Sequence, residues 1–145
     1  MLRRAIELLF FAYRDFTGDA DELLARYGFG RAHHRVIYFV GRQPGMTVGE
    51  LLVLLKITKQ SLARVLGELM RQGFIVQRTR PGDRRRRHLH LTPEALALEA
   101  TLTERQAQRI AAAWEAAGAD AAQGFRSVLK AMINPQDQRR FDEPR

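Results

Sequence analysis

The chain has 145 residues, 46% of them hydrophobic, and 24 lysines and arginines against 16 aspartates and glutamates, a formal net charge of +8. That is length for one compact domain, or for a small domain with flanking elements, and apolar content for a real core, so global disorder is not expected. There is no cysteine, which excludes a disulfide scaffold, a thiol nucleophile and a cysteine redox switch and fits a reducing compartment.

The opening "MLRRAIELLFFAYRDF" pairs two arginines with a brief apolar run, but Glu7 interrupts Ala5 to Tyr13 and no small-residue cleavage site follows. It reads as an amphipathic helix and not as a signal peptide. No stretch approaches the roughly 20 apolar residues that a membrane span needs, and a cytoplasmic protein is expected. Residues 2–27 are expected to form one helix or two short ones, with Leu2, Ile6, Leu9, Phe10 and Tyr13 at helical spacing and a bend at Gly18. A second helical pattern runs from about Arg31 to Arg42, carries Val36, Ile37, Phe39 and Val40, and stops at Pro44-Gly45. Within it, His33 and His34 are adjacent. Neighbours on a helix point about 100° apart and cannot easily hold one ion. Packing or an interface role is expected for them, and no metal or cofactor. The N-terminal third is rich in aromatics: Phe10, Phe11, Tyr13, Phe16, Tyr27, Phe29, Tyr38 and Phe39. Dimer core is the first reading for these, the wall of an effector pocket the second.

In "MTVGELLVLLKITKQSLARVLGELMRQG", Thr47 and Glu50 have the spacing of a capping box, which starts a short helix from Val48 to about Leu54. Lys56-Ile57 breaks it, and Thr58 can cap the next helix. There Leu62, Val65, Leu66, Leu69 and Met70 fall at i, i+3, i+4, i+7 and i+8, an unbroken apolar stripe that Gly73 can end in a left-handed turn. Phe74 to Thr79 reads as a strand and His88 to Leu91 alternates like its partner. The Pro81-Gly82 turn and four arginines lie between them, so the arginines are expected at a hairpin tip. His88 and His90 share one strand face beside them, where phosphate contact or plain exposure is expected. Thr92, Pro93 and Glu94 then supply a cap, a first-turn proline and a first-turn acid for a long helix to about Ala117, with Leu98, Leu102, Ile110 and Trp114 on one side. Gly118 separates it from a last helix with Phe125, Val128, Leu129, Met132 and Ile133 on its apolar face. A long helix with so few partners of its own favours dimerisation. Order is expected to end at Asn134-Pro135, leaving a mobile tail.

A capped helix, a tight turn, a second helix with a polar leading edge and a basic two-stranded hairpin describe a winged helix-turn-helix. The expected fold is therefore mainly α with a small β-hairpin wing, a winged helix-turn-helix plus a helical dimerisation region. The leading edge of the second helix holds Thr58, Lys59, Gln60, Ser61 and Arg64, residue types that bond base edges or phosphates in a major groove. In the wing, Arg78 to Arg87 holds six arginines and one aspartate, which is +5 of the chain's +8. A patch this concentrated calls for a polyanion. Arg84, Arg85, Arg86 and Arg87 suit the minor groove and its phosphates, with Asp83 holding one of them and shaping the tip. No aromatic interrupts the run, whereas RNA readers usually stack bases on aromatics. Duplex DNA is the expected partner, and an RNA-binding or ribosome-associated winged helix is the alternative. With serines only at Ser61 and Ser127, no Gly-rich phosphate loop and no HExxH-type spacing, an enzyme is not expected.

The order of elements, together with "PGDRRRRHLHLTPEA" and "ITKQSLARVLGELMRQGFIVQR", resembles the MarR family of bacterial transcription regulators over nearly the whole chain. The wing carries the most specific part: Asp83, Arg84 and Arg85, then Leu89, Leu91 and Thr92. The resemblance implies a homodimer joined by its N- and C-terminal helices on a pseudo-palindromic operator. It also implies release by a small, often phenolic, effector. By family position Arg85 is the minor-groove residue, although arginines at 86 and 87 leave Arg84 and Arg86 open. The family's oxidation-sensing mode needs a cysteine and is excluded. The domain boundaries that follow are 1–28 for an N-terminal dimerisation region, 29–92 for the DNA-binding domain, 93–133 for C-terminal dimerisation helices and 134–145 for the tail.

Overall fold

A computed structural model describes residues 1–142. The elements in chain order are α1 (Leu2–Ala25), α2 (Arg31–Arg42), β1 (Met46–Thr47), α3 (Val48–Leu55), α4 (Lys59–Arg71), β2 (Ile75–Arg80), β3 (Asp83–Leu91), α5 (Pro93–Ala117), α6 (Ala119–Met132), α7 (Pro135–Gln138) and a 3-10 turn at Arg139–Phe141. The chain divides into two compact units, Met1–Gln106 and Ala107–Arg145. The first runs past residue 92 because Ala95, Leu98 and Leu102 of α5 are buried in its core.

Helix α1 is continuous. Gly18 sits inside it without a bend, although glycine costs a helix interior about 1 kcal/mol relative to alanine. Buried Ala20, Leu23 and Leu24 on the same helix supply the packing that offsets this. Its N-terminal half is bare: Leu2, Ile6, Leu8, Leu9, Phe10, Phe11 and Tyr13 are all exposed. Helix α2 contributes Val36, Ile37 and Val40 to the core, and the aromatics Tyr27, Phe29 and Phe74 pack edge-on or stacked at 5.2–5.8 Å between centroids. The eight N-terminal aromatics thus divide into a packed set and an exposed set.

The helix-turn-helix forms as its caps require. The Thr47 hydroxyl oxygen accepts from the Glu50 N–H at 3.2 Å, and the Glu50 carboxylate accepts from the Thr47 N–H at 2.9 Å. Helix α3 closes at Lys56, held at φ 52 in the left-handed region. In α4, Leu62, Val65, Leu66 and Leu69 are buried to 3% exposure or less, and Met70 is half-buried. After Gln72, Gly73 takes φ +77, where a Cβ is disfavoured, and Phe74 returns its N–H to Leu69.

The sheet has three antiparallel strands in the order β1-β3-β2. The two-residue β1, pairing Met46 with Leu89 and Thr47 with His88, was outside the sequence expectation. It is too short to leave a periodic signal and exists because β3 supplies its hydrogen bonds. Thr92 then links the sheet to α5: its hydroxyl donates to the Gly73 carbonyl at 2.6 Å and accepts from the Ala95 N–H at 3.3 Å.

In the second unit, Trp114 meets Phe125 edge-on at 6.2 Å, while Phe125, Val128, Leu129 and Met132 of α6 stay exposed. The expected mobile tail is corrected from residue 135 to 142. Pro135 opens α7 at the first helical position, where its missing N–H costs nothing. The Asn134 carbonyl accepts from Asp137 and Gln138, Gln138 Nε2 donates to the Ile133 carbonyl at 2.7 Å, and Lys130 pairs with Asp142. Residues 143–145 of that tail lie outside the described residues. Among the described residues no helix is long and apolar enough to cross a membrane.

Candidate nucleic-acid interface

Helix α4 presents Thr58, Lys59, Gln60, Ser61 and Arg64 to solvent while its apolar stripe faces the core. The separation follows from the 3.6-residue period: apolar positions begin at Leu62 and recur on one side only. Thr58 is the N-cap, its hydroxyl oxygen accepting from the Ser61 N–H at 3.1 Å and donating to Ser61 Oγ at 2.9 Å. This fixes the first turn, so Lys59 and Gln60 project from a set backbone.

Arg64 is tied at its other end. Its Nη1 donates to Glu68 Oε1 at 3.2 Å, and Glu68 Oε2 accepts from His33 Nε2 at 2.5 Å. The Glu68 carboxyl is held below the ordinary carboxylate range, first by its hydrogen bond to His33 and further by the hydrogen bond and charge of Arg64, against an opposing effect of burial. Arg64 and Glu68 stand one turn apart and could be paired from spacing, but His33 is 35 residues from Glu68 and left no such signal.

In the wing, Pro81 and Gly82, the latter at φ +84, turn the chain, and Arg80 pairs with Asp83 across the turn. The expectation that Arg84 to Arg87 form the hairpin tip is corrected. They belong to β3, inside a register shift. Between the pairs Arg80–Asp83 and Arg78–His88, β2 contributes Thr79 alone while β3 contributes the four arginines. The extra residues bulge out, which bends the strand and leaves the arginines exposed. Asp83 spans the bulge: Oδ1 accepts from the Arg86 N–H at 3.3 Å, and Oδ2 lies 4.0 Å from Arg86 Nε and 3.6 Å from His88 Nε2. Among the described residues Arg84, Arg85 and Arg87 have no carboxylate partner.

His88 also departs from expectation. It is 4% exposed and cannot offer itself to a phosphate. The bulge changes which residues of β3 face inward, and His88 packs at the wing base. Its Nδ1 donates to the Gly45 carbonyl at 2.8 Å, and its buried Nε2 has no hydrogen-bond partner among the described residues. The same carbonyl accepts from Arg80 Nη2 at 3.3 Å. Gly45 has φ +85, a backbone conformation that strains other residues, and a Cβ there would require the Arg80 guanidinium to move aside. His90 is half-buried, its imidazole lowered from the ordinary value by burial and then by Arg78 and Arg80. Among the described residues no three metal-ligating side chains converge.

A capped two-helix turn followed by a basic antiparallel ribbon defines the winged helix-turn-helix class of DNA-binding proteins. The sequence profile described as the MarR family matches residues 27–86, which span α2 to the arginine bulge. The HTH-type transcriptional regulator PetP of Rhodobacter capsulatus is 49% identical over 140 residues, 97% of this chain and 84% of that protein. The chain belongs to the MarR family and is a transcription regulator. Its fold is shared with Streptococcus pneumoniae FabT in complex with DNA, at a TM-score of 0.79 and 18% identity over 91% of this chain and 94% of that one. It is shared as well with NadR in complex with 4-hydroxyphenylacetate, at 0.71 and 23% identity over 87% of this chain and 91% of that one.

Proposed function

We propose that the protein binds duplex DNA as a homodimer on a pseudo-palindromic operator, in the cytoplasm and without catalysis. Lys59, Gln60, Ser61 and Arg64 enter the major groove, Thr58 sets the first turn and reaches a phosphate, and the wing meets the adjacent minor groove and its phosphates. The observation that carries this reading is the pairing, in one compact unit, of an exposed polar helix edge with a bulge of four exposed arginines. Arg86 is engaged by Asp83, which favours Arg85 for the minor groove and leaves Arg84 and Arg87 for phosphates. Asp83 is the residue that shapes the bulge.

The homodimer reading is supported by exposed apolar side chains on both terminal regions: Leu2 at 79% and Phe10 at 72% on α1, Val128 at 59% and Met132 at 60% on α6. Exposed apolar side chains in such numbers on each of these helices ask for a partner, and a second copy supplies the same faces. Residues 1–28 and 93–133 then serve dimerisation and 29–92 DNA binding. Two recognition helices in such a dimer stand about 34–36 Å apart, one turn of the duplex. Release by a small aromatic effector is part of the proposal, supported by the 4-hydroxyphenylacetate complex of the structurally similar NadR.

Selection of bound duplexes from a random pool, followed by titration of the selected duplex at several salt concentrations, tests the reading. An inverted repeat with half-sites one helical turn apart and a steep salt slope is the expected result. Enrichment of no duplex sequence, or displacement of the selected duplex by structured RNA, would sink it.

A further inference from the structure

The helix that faces DNA carries a carboxylate, Glu68, whose negative charge weakens binding to any polyphosphate. Its surroundings give it a purpose. His33 is 6% exposed and its ring stacks on Phe29 at 4.9 Å and 15°. The Gly30 N–H donates to His33 Nδ1 at 3.0 Å. In the neutral imidazole this assigns the proton to Nε2, which donates to Glu68 Oε2 at 2.5 Å. The other carboxylate oxygen accepts from Arg64 Nη1 at 3.2 Å. One oxygen is bonded to a buried, immobile ring and the other to an exposed guanidinium.

An exposed Arg–Glu pair one helical turn apart holds neither side chain firmly, because both ends are mobile. Here only one end moves. We infer that His33 and Glu68 are positioning residues for Arg64, fixing its guanidinium so that its remaining N–H groups meet the duplex in one geometry. This rests on the reading that Arg64 contacts DNA. An arginine with its fork oriented in advance discriminates between base edges, whereas a free one finds any phosphate. Glu68 thus exchanges some general affinity for selectivity. The chain of bonds also joins the start of α2 at Gly30 to the recognition helix, so residues outside the groove set how α4 reads.

The test compares the duplex recovered by selection with a shuffled duplex of the same length. E68Q is expected to weaken binding to the selected duplex by about tenfold while binding to the shuffled one stays level or strengthens. If both duplexes bound more tightly by the same factor, Glu68 would be a repelling charge and nothing more, and the inference would be overturned. H33N, too short to reach Glu68, is expected to reduce the ratio of the two affinities about fivefold when Arg64 is present and not at all in an R64A background. Equal reductions in both backgrounds would overturn the inference while leaving Arg64 as a DNA contact. Unchanged binding of both duplexes by R64A alone would overturn the groove role of Arg64 and the inference with it. Should H33N fail to fold, E68Q with and without R64A makes the same comparison.

Discussion

At the leading edge of α4 three of the five polar residues are tethered: Thr58 and Ser61 bond to one another at the cap, and Arg64 bonds to Glu68 and through it to His33. The wing, by contrast, leaves Arg84, Arg85 and Arg87 without a carboxylate among the described residues and spends its single aspartate on the backbone of Arg86. Fixed donors select among base patterns, because a misplaced donor finds no acceptor. Loose cations bind phosphate wherever it is, and their contribution depends on salt. Under the proposed function the two halves of the interface divide the work in that way, readout to the helix and attraction to the wing. The bulge is the device that keeps the wing loose, since a regular ladder would have set the arginines alternately on two faces of the ribbon.

The largest effect expected from this division is in the wing. R84A/R85A should weaken binding to selected and shuffled duplexes alike, by about a hundredfold at low salt. It should also make the salt slope shallower by about two counterions. A loss confined to the selected duplex would show that the wing reads sequence, and would break the contrast. Next is Q60A on the helix. It should cost the selected duplex about tenfold, leave the shuffled duplex unaffected and keep the salt slope, as removal of one bidentate base contact does. Equal losses on both duplexes would move Gln60 to the backbone class. Both variants are read by fluorescence anisotropy across a salt series.

The same contrast explains what was legible in the sequence. Features decided within a few residues were readable: the Thr47–Glu50 box, the Thr58 cap, Gly73 at the end of α4 and Thr92 at the start of α5. The winged helix-turn-helix followed from their order. Contacts that join distant segments were not readable. His33 meets Glu68, His88 meets Gly45, and β1 exists only against β3. The arginine run illustrates the limit. Composition located its charge, but a run of identical residues carries no alternation, so neither the bulge nor the burial of His88 just after it could be derived. The helix after Asn134-Pro135 has an ambiguous signal, because a proline that ends one helix has a fixed φ that equally suits the first turn of another.

Thr58→Ala removes the tether that sets the first turn of α4. A loss of about 1 kcal/mol in unfolding free energy is expected, as for other N-cap deletions. Thermal unfolding measures it. Affinity for the selected duplex should fall further than affinity for the shuffled one, because Lys59 and Gln60 lose their set backbone. A stability change with no change in that ratio would mean the cap serves the fold alone.

The smallest effect separates two histidines. The His34 imidazole on α2 is lowered from 6.5 first by burial, with Asp21 and Glu99 opposing and Arg35 assisting. His90 in the wing is lowered first by burial, with Arg78, Arg80 and His88 all assisting. For each, the unfolded chain takes a proton at a pH where the folded one does not. Stability contributed by the neutral ring is therefore present above about 6.5 and is lost as pH falls from there through the folded value. H34N and H90N should each flatten part of the acid decline. Added salt tells them apart. Screening weakens the arginines that hold His90 down, so its folded value rises and its share of the decline shrinks. Screening also weakens the carboxylates that hold His34 up, so its folded value falls and its share grows. Urea unfolding from pH 7.5 to 5 at low and high salt reads both shares. If salt moved them in the same direction, local charge would not be what distinguishes the helical scaffold from the wing.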